Sequence, residues 1–132
     1  MAAVSAYAEK AILDWLLGGA TPTRPTAWAV GLSLGVPSST SGSEITTGSG
    51  YARQTVVMPA AASPAGSVTN TASMSFGPFS GAASITGIQV WDTILTLNSG
   101  NMLMMGTLAT ARTVGIGDSL IIASGALTAL MT

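Results

Sequence analysis

Between Val4 and Leu17 the apolar residues Val4, Ala8, Ala11, Ile12 and Trp15 recur at three- and four-residue steps, with Glu9, Lys10 and Asp14 on the other side. At 3.6 residues per turn this pattern predicts an amphipathic helix of about 14 residues. Gly18-Gly19 supplies a left-handed stop, and Pro22 and Pro25 keep the helix from resuming. After Pro25 the period becomes two. Trp28, Val30, Leu32 and Leu34 alternate with Ala27, Ala29, Gly31 and Ser33, which predicts a strand with one large-residue face and one small-residue face. Residues 35–50 hold five Ser and four Gly, with Pro37 and no apolar period, so they read as a long loop. Loops of this length are uncommon in compact domains and are often functional, and this one is expected to be a contact arm.

Further strand signals lie at Tyr51–Met58, Ser67–Phe76, Ile85–Trp91, Met102–Leu108, Ser119–Ile122 and Ala126–Met131. Turn clusters separate them, among them Gly77-Pro78, Asn98-Ser99-Gly100-Asn101 and Gly115-Ile116-Gly117-Asp118. Six or seven short strands without a second helical stretch predict a mainly β fold: an antiparallel β-sandwich or jelly-roll-like barrel with one N-terminal amphipathic α-helix. The expected organisation is a single domain over 1–132, with the helix in 1–19 and the sandwich in 26–132. A chain of 132 residues is close to the commonest domain size and can bury a core without covalent staples.

Composition narrows the chemistry. The chain has no cysteine and no histidine, which removes disulfides, thiolate nucleophiles, the neutral-pH proton shuttle and the usual zinc ligands. Its charges are Glu9, Lys10, Asp14, Arg24, Glu44, Arg53, Asp92, Arg112 and Asp118, or 7% of residues where about a quarter is typical. A surface made largely of Ser, Thr, Ala and Gly gives little repulsion between copies and suits packing against protein. Four scattered basic residues and a net charge of −1 argue against a nucleic-acid partner. Mean hydropathy is +0.56, yet no run reaches the roughly 18 uninterrupted apolar residues of a spanning helix. Glu9, Lys10 and Asp14 also break the apolar core that a signal peptide would need, so synthesis in the cytosol without secretion is expected.

No constellation points to catalysis, a cofactor or a metal. Glu9 and Asp14 are explained by the polar helix face, and Gly48-Ser49-Gly50 lacks the helix and lysine of a phosphate loop. Gly115-Ile116-Gly117-Asp118 precedes a strand and reads as a turn that Asp118 can close on its own backbone. Asp92 and Asp118 could converge on calcium only without the usual D-x-D cluster.

The candidate contact residues are apolar or paired. Met102 and Met104 share one face of a strand that is apolar on both faces, as in core or at a subunit interface. Trp28 and Trp91 fit a core and could alternatively serve as a sugar-stacking platform, while Trp15 is the hot-spot candidate on the helix. Tyr51 and Arg53, two apart, share a strand face with Glu44 as the nearest countercharge. Two readings follow: an anchor to another subunit, or an internal Glu44–Arg53 pair that pins the long loop.

The order of these features resembles a family of small tailed-bacteriophage structural proteins, capsid decoration or cement proteins often labelled tail-fibre-like. Their opening helix is matched by Tyr7-Ala8-Glu9-Lys10-Ala11-Ile12-Leu13-Asp14-Trp15-Leu16-Leu17-Gly18, and a later segment by Glu44-Ile45 and Gly50-Tyr51-Ala52-Arg53-Gln54. Ile85-Thr86-Gly87-Ile88-Gln89-Val90-Trp91-Asp92, Ser99-Gly100-Asn101-Met102-Leu103-Met104-Met105-Gly106 and Gly117-Asp118 then follow in order. The resemblance implies a non-enzymatic virion protein on the capsid surface, with the major capsid protein and further copies of itself as partners. A tail, fibre or head-to-tail connector subunit is the alternative, and a carbohydrate-binding β-sandwich a third.

Overall fold

The computed structural model describes residues 2–40, 43–45, 50–61, 66–95 and 100–131. The fold is mainly β and antiparallel, with one short N-terminal helix, as the sequence predicts. The elements are β1 (Ala2–Val4), α1 (Ala6–Leu16), β2 (Ala29–Ser33), β3 (Gln54–Thr55), β4 (Ser67–Thr69), β5 (Met74–Phe76), β6 (Ala83–Trp91), β7 (Met102–Val114), β8 (Leu120–Ile122) and β9 (Thr128–Leu130).

A five-stranded sheet in the order β1-β7-β6-β2-β3 organises the chain, and the pairs β4-β9 and β5-β8 form two ribbons. Val30 and Leu32 of β2 face the same side as their partners Val90 and Ile88 of β6. That side is the core: Val30, Leu32 and Ile85 pack with Met74 and Phe76 of β5, Phe79, Val56, Val114 and Leu127. The opposite face of β2 carries Ala29, Gly31 and Ser33, the small residues that the two-residue period picked out. Every β2 residue is nevertheless buried, so the small face has a cover of its own.

Two expectations are corrected, and a third, the contact arm, is described only in part. The helix begins at Ala6, and Val4 belongs to β1, which pairs with Met104–Gly106 of β7. Ser5 divides the two elements. Its extended backbone ends the strand while its hydroxyl accepts from the Ala8 amide at 3.2 Å, an N-cap that satisfies one orphan donor of the first turn. The Ser67–Phe76 segment splits into β4 and β5 at Asn70, whose buried side chain bonds backbone groups in place of a ladder partner. The long loop is held against the sheet where it is described. Ser43–Ile45 runs antiparallel to the end of β2, with the Leu34 amide donating to Ser43 O at 3.0 Å and the Ile45 amide to Leu32 O at 3.0 Å. Pro37 is buried beside Gly87, where an added Cβ would come within 2.7 Å of its ring. The tip of the expected arm, residues 41–42 and 46–49, lies outside the described residues.

The turn at Gly115–Asp118 forms as expected, while residues 98–99 of the expected turn before Met102 lie outside the described residues. The Gly115 amide donates to Asp118 Oδ2 at 2.7 Å, and Asp92 bonds both the backbone and the side chain of Asn101, at 2.7 and 2.8 Å. Both carboxylates thus serve turns. Among the described residues no group of three or more acidic, His or Cys side chains could hold a metal ion, and no helix is long and apolar enough to cross a membrane.

Candidate functional site

Two places hold the residues singled out above. The first covers the small face of β2. Arg53 Nε and Nη2 donate to Glu44 Oε1 and Oε2, each at 2.8 Å, in a two-pronged pair whose Arg53 side chain is fully buried and whose Glu44 side chain is 5% exposed. Arg53 Nη1 donates to Thr93 O at 3.1 Å, and its guanidinium lies 4.0 Å over the Trp91 ring. The Trp91 indole in turn donates to Gln89 Oε1 at 3.0 Å.

Tyr51 completes the arrangement. Its hydroxyl donates to Glu44 Oε1 at 2.7 Å and accepts from the Leu32 amide at 2.9 Å. That amide sits between the stretch of β2 paired with β3 and the stretch beside Ser43–Ile45, so a phenol oxygen fills a gap in the ladder. The Tyr51 ring stacks on Phe76 with centroids 6.2 Å apart, tying the polar cluster to the core. Gly31 lies beneath. A Cβ there would stand 2.8 Å from Glu44 Oε1 and 3.0 Å from the Tyr51 hydroxyl, so a side chain at 31 would displace the cluster.

Burial first, and then the bond to the Glu44 carboxylate, push the Tyr51 phenol far above its ordinary value of 10.0. The folded chain therefore keeps a proton that the unfolded chain releases. This contribution to stability is whole below pH 10 and is lost as the pH climbs above it. In a Tyr7→Phe background, where Tyr51 is the remaining tyrosine, phenolate absorbance should appear together with loss of the far-ultraviolet dichroism in an alkaline titration. A phenolate forming while the fold persists would contradict this burial.

The structure thus brings Glu44, Tyr51 and Arg53 together and forms the internal pair that pins the loop. Met102 is also buried, with the Ser5 hydroxyl bonded to its carbonyl. Met104 is half-buried and lines a cavity of about 290 Å³ with Trp28, Met58 and Val68. The sequence reading did not connect Gly31, Gln89 and Trp91 with this cluster. The small residues of β2 were the available signal, since a strand face of Ala, Gly and Ser leaves room for bulky side chains from elsewhere. Trp28 and Trp91 each carry a guanidinium over one face, from Arg24 at 5.6 Å and Arg53 at 4.0 Å.

The second place is the helix. No residue of α1 is buried, and Leu13, Trp15, Leu16 and Leu17 are 55%, 64%, 61% and 80% exposed. One side of α1, through Tyr7, Ala11 and Trp15, forms with Pro22, Arg24 and Leu103 an open groove of about 310 Å³. Lys10 and Asp14 pair one helical turn apart on the polar side. Clustered exposed apolar side chains on an ordered helix mark a contact surface, and Trp15, the hot-spot candidate, stands within it.

No curated protein matches the chain. A family model described as Podophage GP4 fiber I protein gp80 matches residues 3–129, from β1 through the pinned loop to β9. With nearly its whole length matched, helix and buried cluster included, the chain belongs to this family of bacteriophage fibre proteins.

Proposed function

We propose that the chain is a non-enzymatic fibre-type subunit of a tailed-phage virion, held in the particle by protein–protein contact between several copies and their neighbours. The observation that carries this reading is α1, an ordered helix with its large apolar side chains in solvent. The family match and the scarcity of charge support it. Glu44, Tyr51 and Arg53 act indirectly: they hold the 43–45 stretch of the loop on the sheet and so fix the shape presented to partners. A single helix-sized contact is smaller than the roughly 800 Å² per partner of a stable interface, so attachment relies on repetition across copies.

Gold-labelled antibody against the chain, applied to purified particles, locates it. Label confined to the tail region is the expected result. Label spread over the shell would overturn the fibre placement and favour a decoration protein bound to the major capsid protein, and unlabelled particles would overturn both.

A further inference from the structure

The helix carries two different surfaces, and they complement each other. Tyr7, Ala11 and Trp15 form one wall of the groove, which Pro22, Arg24 and Leu103 complete. At about 100° per residue, Leu13, Leu16 and Leu17 fall on the other side of the axis, and Glu9 joins them at the i and i+4 spacing from Leu13. That stripe is exposed along its length. Its leucines, at i, i+3 and i+4, have the spacing by which a helix anchors in an apolar groove.

The charges match as well. Glu9 on the stripe and Arg24 on the groove are both exposed, and neither makes an ion pair among the described residues, whereas Lys10 is taken by Asp14. Arg24 is also steadied by its contact with the Trp28 ring. A stripe with one carboxylate and a groove with one guanidinium give a favourable pair in one direction of docking and no like-charge opposition.

From this complementarity we propose that the Leu13–Leu16–Leu17 stripe of one copy docks in the Trp15–Arg24 groove of the next, with Glu9 meeting Arg24. It rests on the reading of the chain as a repeated subunit. Because donor and acceptor surfaces lie on opposite sides of one helix, the contact is head-to-tail, and successive copies close into a ring when the rotation between them permits.

The cross-mixing experiment is specific to a head-to-tail contact. Leu13→Asp with Leu16→Asp disables the stripe and spares the groove, while Arg24→Glu does the reverse. All three residues are exposed, so melting curves should stay those of the wild type. In sedimentation experiments the wild type is expected to form a closed oligomer, each variant alone to be a monomer, and an equimolar mixture to give a one-to-one dimer. Combining Glu9→Arg with Arg24→Glu should recover at least ten-fold of the association that either single change loses. A mixture that stays monomeric, variants that assemble like the wild type, or a wild type that is itself monomeric would each overturn the docking. Variants that assemble normally but no longer enter particles would assign the groove to another virion protein and overturn self-docking. The particle labelling above uses intact virions and decides the fibre placement separately.

Discussion

Arg53→Met should destabilise the chain by about 3–5 kcal/mol, the usual cost of stranding one member of a buried ion pair. The Glu44 carboxylate would keep the Tyr51 hydroxyl as a donor but lose both prongs of the guanidinium, in a site where its side chain is 5% exposed. Trp91 would lose its stacked cation and Thr93 its donor. The damage should also spread to the loop, because Glu44 sits where Ser43–Ile45 joins β2. Urea unfolding with unchanged slope and a lower midpoint is the measurement. The double variant Glu44→Gln with Arg53→Met removes both charges and should recover part of the loss, since matched removal of a buried pair is far milder than breaking it. A loss below about 1 kcal/mol for Arg53→Met, the range of an exposed pair, would mean that the cluster does not hold the loop.

Asn70→Ala is the second large effect expected. Asn70 Nδ2 donates to Ala72 O at 2.8 Å and to Ala123 O at 2.9 Å, and its Oδ1 accepts from the Leu127 amide at 2.9 Å. The side chain is buried, and among the described residues no buried side-chain nitrogen or oxygen lacks a partner. Truncation orphans three backbone groups, each worth on the order of 1–3 kcal/mol when buried and unsatisfied. Relaxation toward solvent would reduce the sum, so a total of about 3 kcal/mol is expected. The Leu127 amide should lose hydrogen-exchange protection first, because its acceptor is removed outright. Unchanged protection at Leu127 would show that the backbone bonds Asn70 N to Leu127 O and Gly125 N to Asn70 O hold the corner unaided.

What could be read from the sequence follows physical range. Period and stop signals are local, and they placed α1, β2, β6 and the turn closed by Asp118. The three-residue β1 escaped because Ala2-Ala3-Val4 has no period of its own and is a strand only because β7 pairs with it. Asn70 broke one expected strand into two through partners 53 and 57 residues away, which no window on the sequence spans. Of the contact candidates, Trp15 is exposed as expected, whereas Glu44, Tyr51, Arg53 and Met102 turned inward. Charge in a strand is ambiguous by itself. Gly31 decides the matter, since the missing side chain leaves the space that the Glu44–Arg53 pair and the Tyr51 hydroxyl fill.

The two flanks of the five-stranded sheet are its shortest members, three residues in β1 and two in β3, while the long β6 and β7 lie inside. Past Gly106, where β1 ends, β7 sets four residues, Leu108–Ala111, against the single Thr86 of β6. Among the described residues an incoming strand thus finds no long, regular border of this sheet on which to template, which is how natural sheets resist amyloid-like growth. With nine charges in 132 residues, electrostatic repulsion offers little colloidal protection. With repulsion that weak, the outline of the described sheet is what works against strand-to-strand aggregation, and side chains are left to decide which surfaces meet.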